Sequence, residues 1–166
     1  MSEAATPGRA AASKRANQIV PQLAAVTIAP PPPFVNPAAM AKFVDLVLGE
    51  LPVDAINRTL ALELEPGEVV FRAAGQAHAQ KRHPDDFARC IPHVGAVALQ
   101  PHYIGDDFRN PGKIELVGRV VGIGGMLVAV AIEPDANGRY AVCSVYPVSE
   151  RTIENRRQAK TLHIPK

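Results

Sequence analysis

Tryptophan is missing from this chain and the other aromatics are scarce, with three tyrosines and five phenylalanines in 166 residues. A core must therefore be assembled mostly from Val, Leu, Ile and Ala, which suffices for one domain but not for two. Cysteine is nearly absent as well. Cys90 and Cys143 stand far apart in sequence, which argues against a disulfide framework, offers no zinc-ligand spacing and points to a reducing compartment. No run approaches the roughly 18 apolar residues that a membrane span needs, so no membrane partner is expected. Met1 to Ala5 shows no basic stretch leading into an apolar block, so no secretory leader is expected. Familiar nucleotide and hydrolase signatures are also lacking. Gly122 to Gly125 lies between two strand-like runs rather than opening a helix, which removes a phosphate-loop or dinucleotide reading. No Gly-x-Ser-x-Gly elbow occurs, and no acidic pair is placed as a glycosidase needs it. His78 and His83 are five apart, not at the four-residue spacing that puts two ligands on one helix face. No metal and no cofactor are expected.

Proline, by contrast, is abundant. Its 16 copies are about twice the usual share, and Pro7, Pro21 and Pro30 to Pro33 all precede Phe34. Residues 1–33 therefore read as an extended Pro/Ala-rich arm, with Pro30 to Pro33 favouring a stiff polyproline II rod. Within the arm, Ile19 to Ile28 is an apolar patch suited to a partner's sheet or groove. Net charge is only +2, but the arm carries +2 and residues 151–166 carry +4, leaving −4 on the body between them. Basic ends on an acidic body favour docking of a polyanion.

Residues 34–166 read as a single α+β domain. Asn36 and Pro37 form a helix start, and Met40, Phe43, Val44, Val47 and Leu48 recur at helical spacing, with Gly49 as the stop. A second short helix is expected over 53–62, a turn at Glu65 to Glu68 and a strand over 69–72. The stretch from Ala73 to Arg82 predicts a helix, broken at His83 by Pro84, and Pro84 to Ile91 predicts another. Val94 to Leu99 reads as a strand, followed by a polar loop through Gly112. Residues 114–123, 126–132 and 139–145 predict strands of an antiparallel meander. Ser149 predicts the cap of a basic C-terminal helix over 150–160. The expected architecture is N-terminal helices packed on a three- to four-stranded antiparallel sheet.

The densest group of reactive side chains is His78, Lys81, Arg82 and His83, all within six positions. Cleavage of RNA by its own 2′-hydroxyl needs a base for that proton, an acid for the leaving 5′-oxygen and cations around the phosphate. Histidine suits the proton roles, and Lys and Arg suit the phosphate. Ser144 and Tyr146 alternate with Val145 on a late strand and so share one sheet face. Arg72, at a strand end, is a lesser candidate. Arg156 and Arg157 are candidates for an RNA clamp.

The run VVFRAAGQAHAQKRHPDDFARCIPHVGAVALQP, followed by strands ending in AVCSVYPVSE, resembles the phage-encoded branch of the barnase–EndoU–colicin–RelE superfamily. The resemblance spans roughly Val69 to Val148, about half the chain. It implies a metal-independent endoribonuclease of phage or mobile-element origin, acting as a toxin or accessory protein. His78 and His83 would be general base and acid, in either order, Lys81 or Arg82 would contact phosphate, and Ser144 and Tyr146 would face them from the sheet. RNA is the implied partner, with a neutralising protein or phage structural proteins on the arm, in the bacterial cytoplasm or the virion. The competing expectation is a non-enzymatic structural or accessory protein of a phage particle built on the same fold. Either way, the site requires His78 or His83 to lie against the Ser144–Tyr146 face.

Overall fold

The computed structural model describes residues 43–107 and 109–166. The arm over 1–33 and the helix start at Asn36 and Pro37 lie outside the described residues. Leu46–Glu50 is strand β1, Val53–Leu60 helix α1 and Glu68–Phe71 strand β2. Ala73–Arg82 and Pro84–Cys90 are helices α2 and α3, and a 3-10 turn at Ile91–His93 leads into helix α4, Val94–Leu99. Strands β3 to β6 cover Tyr103–Asp106, Lys113–Val120, Gly124–Ala131 and Tyr140–Val148. Helix α5, Glu150–Gln158, and a two-residue strand β7, Leu162–His163, follow.

The strands form one seven-stranded mixed sheet in the order β1-β2-β6-β5-β4-β3-β7. Its centre is the expected meander: β4 pairs β5 and β5 pairs β6, both antiparallel. Every other neighbouring pair is also antiparallel except β2 with β6, which run parallel. The expected three- to four-stranded antiparallel sheet is thereby corrected. It gains β3 and β7 on one side and β2 and β1 on the other.

Two elements take a state other than the one expected. The helix expected up to Gly49 is replaced, over the described residues, by β1. Leu46 and Leu48 pack toward the core while Val47 is exposed, an alternation of period two inside a run whose apolar spacing also fits a helix. A bulge between Val47 and Gly49, with Gly49 at φ +131°, keeps the pairing with β2 in step. The strand expected over Val94 to Leu99 is instead α4. Val94, Val97 and Ala98 are buried at helical spacing, and a short apolar run cannot by itself distinguish the two states.

Other elements fall where the local chemistry predicts. The chain breaks at His83 (φ −144°, ψ 72°) between α2 and α3, because the proline that follows disfavours helical geometry there. Ser149 caps α5, its side chain accepting from the Thr152 backbone N–H. Among the described residues, no helix is long and apolar enough to cross a membrane.

The sheet buries both faces. On one, Ile56, Phe87, Cys90, Val94, Val97 and Ala98 from α1, α3 and α4 meet Leu116, Val128 and Val142 of the strands. On the other, α5 is the one helix on the sheet among the described residues. There Ile153 packs with Tyr103, Val117, Leu127, Ala129 and Leu162. Gly125 makes that contact possible, since a Cβ on it would come within 2.6 Å of the Ile153 Cδ1. Because α5 covers only part of this second face, the rest is left as a cleft.

Candidate functional site

β6 settles which residues share a face. Tyr146 pairs with Leu127 and Ser144 with Ala129, both in the cluster under α5. Val145, between them, pairs with Val128 and packs in the cluster under α1 to α4. Ser144 and Tyr146 therefore do share one face, as their alternation predicts. It is the face opposite the one on which α2 and α3 pack through Ala79, Phe87 and Cys90. His78, Lys81, Arg82 and His83 are all exposed on the outside of that helical pair. The sheet stands between the two helices and the Ser144–Tyr146 face, so the two groups do not converge on one cleft.

Arg72 is likewise committed elsewhere. Its Nη2 donates to Asp135 Oδ2 at 2.8 Å, and Arg139 approaches the same oxygen at 3.4 Å. The backbone N–H groups of Arg139 and Asn137 also donate to this carboxylate. Led by the Arg139 bond, they hold the Asp135 carboxyl below its ordinary pKa. This is a knot that ties the start of α2 to the β5–β6 turn.

Tyr146 opens instead into a cleft of about 580 Å³ between α5 and the β3–β4 connection. Glu115 comes from β4, Thr152 and Arg156 from α5, and Asp106, Asp107, Arg109 and Asn110 from the end of β3 and the loop after it. Glu115 is only 6% exposed although it carries a carboxylate. Such a group is tolerated when it is paired, and the Arg156 guanidinium donates to its Oε2. Gly105, the cross-strand partner of Glu115, makes room for the Thr161–Leu162 segment beside the cleft. A Cβ there would meet Arg156 Nη2 at 3.5 Å and the Thr161 carbonyl oxygen at 2.6 Å.

The phenol of Tyr146 responds to this setting. Although Tyr146 as a whole is 39% exposed, partial desolvation in the cleft is the largest cause of its raised pKa, and the Glu115 carboxylate adds to it while Arg156 opposes it. At neutral pH Tyr146 is therefore a proton donor. Asp107 is used within its own loop, accepting from the Arg109 and Asn110 backbone N–H groups and from the Asn110 side chain. Arg109 is exposed at the rim. The cleft thus combines a buried carboxylate, a protonated phenol and two guanidiniums.

Glu115, Arg109 and Asp106 were not singled out by sequence reasoning. One signal for Glu115 was legible: it is a lone acid at an inward position within the apolar strand Lys113–Val120. Arg156, read as a possible RNA clamp, does lie at the cleft. His93 and His102 line a separate concavity with Val97 and Gln100, where His102 Nδ1 accepts from the Arg119 backbone N–H. Among the described residues, no group of three or more His, Cys, Asp or Glu side chains is placed to hold a metal ion. Comparison of the chain with protein-family models, with curated proteins and with solved structures gave no match.

Proposed function

We propose that the protein is a metal-independent endoribonuclease whose reaction takes place in the Tyr146 cleft. The observation that carries this reading is the meeting of Glu115, Tyr146 and Arg156 in one concave site, with Tyr146 also belonging to the strand element of the family resemblance. The Glu115 carboxylate takes the proton from a ribose 2′-hydroxyl, whose oxygen attacks the adjacent phosphorus. The bond from phosphorus to the 5′-oxygen breaks, leaving a 2′,3′-cyclic phosphate and a 5′-hydroxyl. Tyr146, held protonated, supplies the proton to the leaving oxygen. Arg156 and Arg109 offer guanidinium donors to the charge that develops on the phosphate.

Digestion of RNA in EDTA, with product ends read by mass spectrometry, tests this. Cleavage by the unaltered protein should persist in EDTA and fall by about 10²- to 10⁴-fold in Tyr146→Phe and in Glu115→Gln. His78→Ala and His83→Ala should leave it within a few-fold. Loss in the histidine variants with retention in the cleft variants would move the chemistry to the α2–α3 junction. If no RNA is cleaved by the unaltered protein, the enzyme reading fails and a non-enzymatic phage structural or accessory role takes its place.

A further inference from the structure

Arg156 and Arg157 are consecutive on α5 but serve different places. Arg156 reaches Glu115 at the cleft, whereas the Arg157 guanidinium lies 5.3 Å from the centroid of the Tyr103 ring. A second guanidinium, Arg119 from β4, lies 5.6 Å from the same centroid. Tyr103 itself is only 7% exposed, so its ring is a fixed platform holding two cations over it. Like charges gathered at one ring need compensation, and here it comes from the helix: Glu150 meets Arg119 at 3.1 Å and Glu154 meets Arg157 at 3.2 Å. Both carboxylates are more than half exposed, at 57% and 53%. Such ion pairs are weak and readily exchanged, while phosphate oxygens match the guanidinium fork. Arg151 and Lys160 add exposed cations on α5 and just beyond it.

We propose that the Arg119–Tyr103–Arg157 platform is a second phosphate subsite. It would hold the backbone of a single-stranded RNA a few nucleotides from the bond being cut. This rests on the ribonuclease reading of the cleft. The platform and the cleft flank α5, so a strand passing over the helix, about 10 Å across, would engage both. The platform reads backbone charge rather than base identity. Glu150 and Glu154 act as built-in competitors for the same guanidiniums.

Two substrates separate the subsite from the reacting centre: a trinucleotide, which fills the cleft alone, and a single strand of about 12 nucleotides, which also reaches the platform. In the double variant Arg119→Gln/Arg157→Gln, binding of the longer strand, read by fluorescence anisotropy, should weaken at least tenfold. The slope of log affinity against log salt should flatten by about 1.4, the expectation for two lost contacts on a single strand. Trinucleotide cleavage should stay within twofold. The opposite variant, Glu150→Gln/Glu154→Gln, should tighten the longer strand and serves as a gain-of-binding control that a misfolded protein could not mimic. Unchanged binding of the longer strand in both variants overturns the subsite, as does an equal loss for both substrates. Absence of cleavage by the unaltered protein overturns the ribonuclease reading, while the binding comparison still decides the subsite.

Discussion

Glu115 and Arg156 set the energetics of the cleft at the scale of single residues. Glu115 has almost no contact with water, so removing its partner leaves a buried charge uncompensated. Fully buried pairs broken in this way lose about 3–5 kcal/mol. The Arg156 side chain is 25% exposed, so Arg156→Met should cost less, about 2–3 kcal/mol. Adding Glu115→Gln should recover most of that loss, measured by urea denaturation as a double-mutant cycle. Strictly additive losses would mean that the two charges are not coupled. The phenol at the same site gives a pH dependence. Because the folded-state pKa of Tyr146 lies above its ordinary 10.0, the folded state binds this proton more tightly than the unfolded chain. The resulting stability is fully present below the ordinary value and is lost as pH rises through the folded one. An ultraviolet phenolate titration should show Tyr140 and Tyr146 both ionising above the ordinary range, each chiefly through burial, and only the Tyr146 pKa should drop in Glu115→Gln, which removes the carboxylate that adds to its shift. No drop would detach the phenol from that carboxylate.

At the scale of elements, α5 matters most, because it carries Arg156 into the cleft and Arg157 onto Tyr103. Its hold on the sheet depends on Ile153 packed against Gly125 and on its cap at Ser149. Ser149→Ala should destabilise the protein by about 1 kcal/mol, seen as a lower midpoint in thermal unfolding. An unchanged midpoint would mean that the cap bond contributes nothing to holding the helix. The elements also show where reading the sequence succeeds. The Ser149 cap and the proline after His83 act on their immediate neighbours, so the start of α5 and the α2–α3 break were legible. The β4–β5–β6 meander was legible from runs of β-branched residues parted by turn residues. By contrast, α4 and β1 were misread because Val94 to Leu99 and Leu46 to Glu50 are too short and too apolar for periodicity to decide. Packing of Val94, Val97 and Ala98 on the sheet decided α4, and pairing with β2 decided β1. β3 and β7 were missed because four-residue and two-residue strands carry no pattern of their own; each exists by pairing.

Across the whole molecule, stability should follow the sheet from its centre outward. β5 pairs on both edges and is buried under helices on one face and α5 on the other. The α2–α3 pair presents exposed side chains from Gln80 through Asp85. Hydrogen exchange read by mass spectrometry should therefore be slowest in β5 and faster over α2 and α3 by several orders of magnitude. Equal protection in both would contradict this arrangement. The distribution bears on the site as well, since Glu115, Leu127 and Tyr146 place the cleft on the central strands β4, β5 and β6, where slow exchange is expected. From the sequence alone came the α+β class, the central meander, the shared face of Ser144 and Tyr146 and the candidacy of Arg156, because each depends on local alternation, turn chemistry or composition. Only the tertiary structure decided which side of the sheet each helix covers. That choice follows from burying apolar surface on both faces, which no local pattern encodes. It separated His78 and His83 from Tyr146 and placed Glu115 and Arg156 beside it.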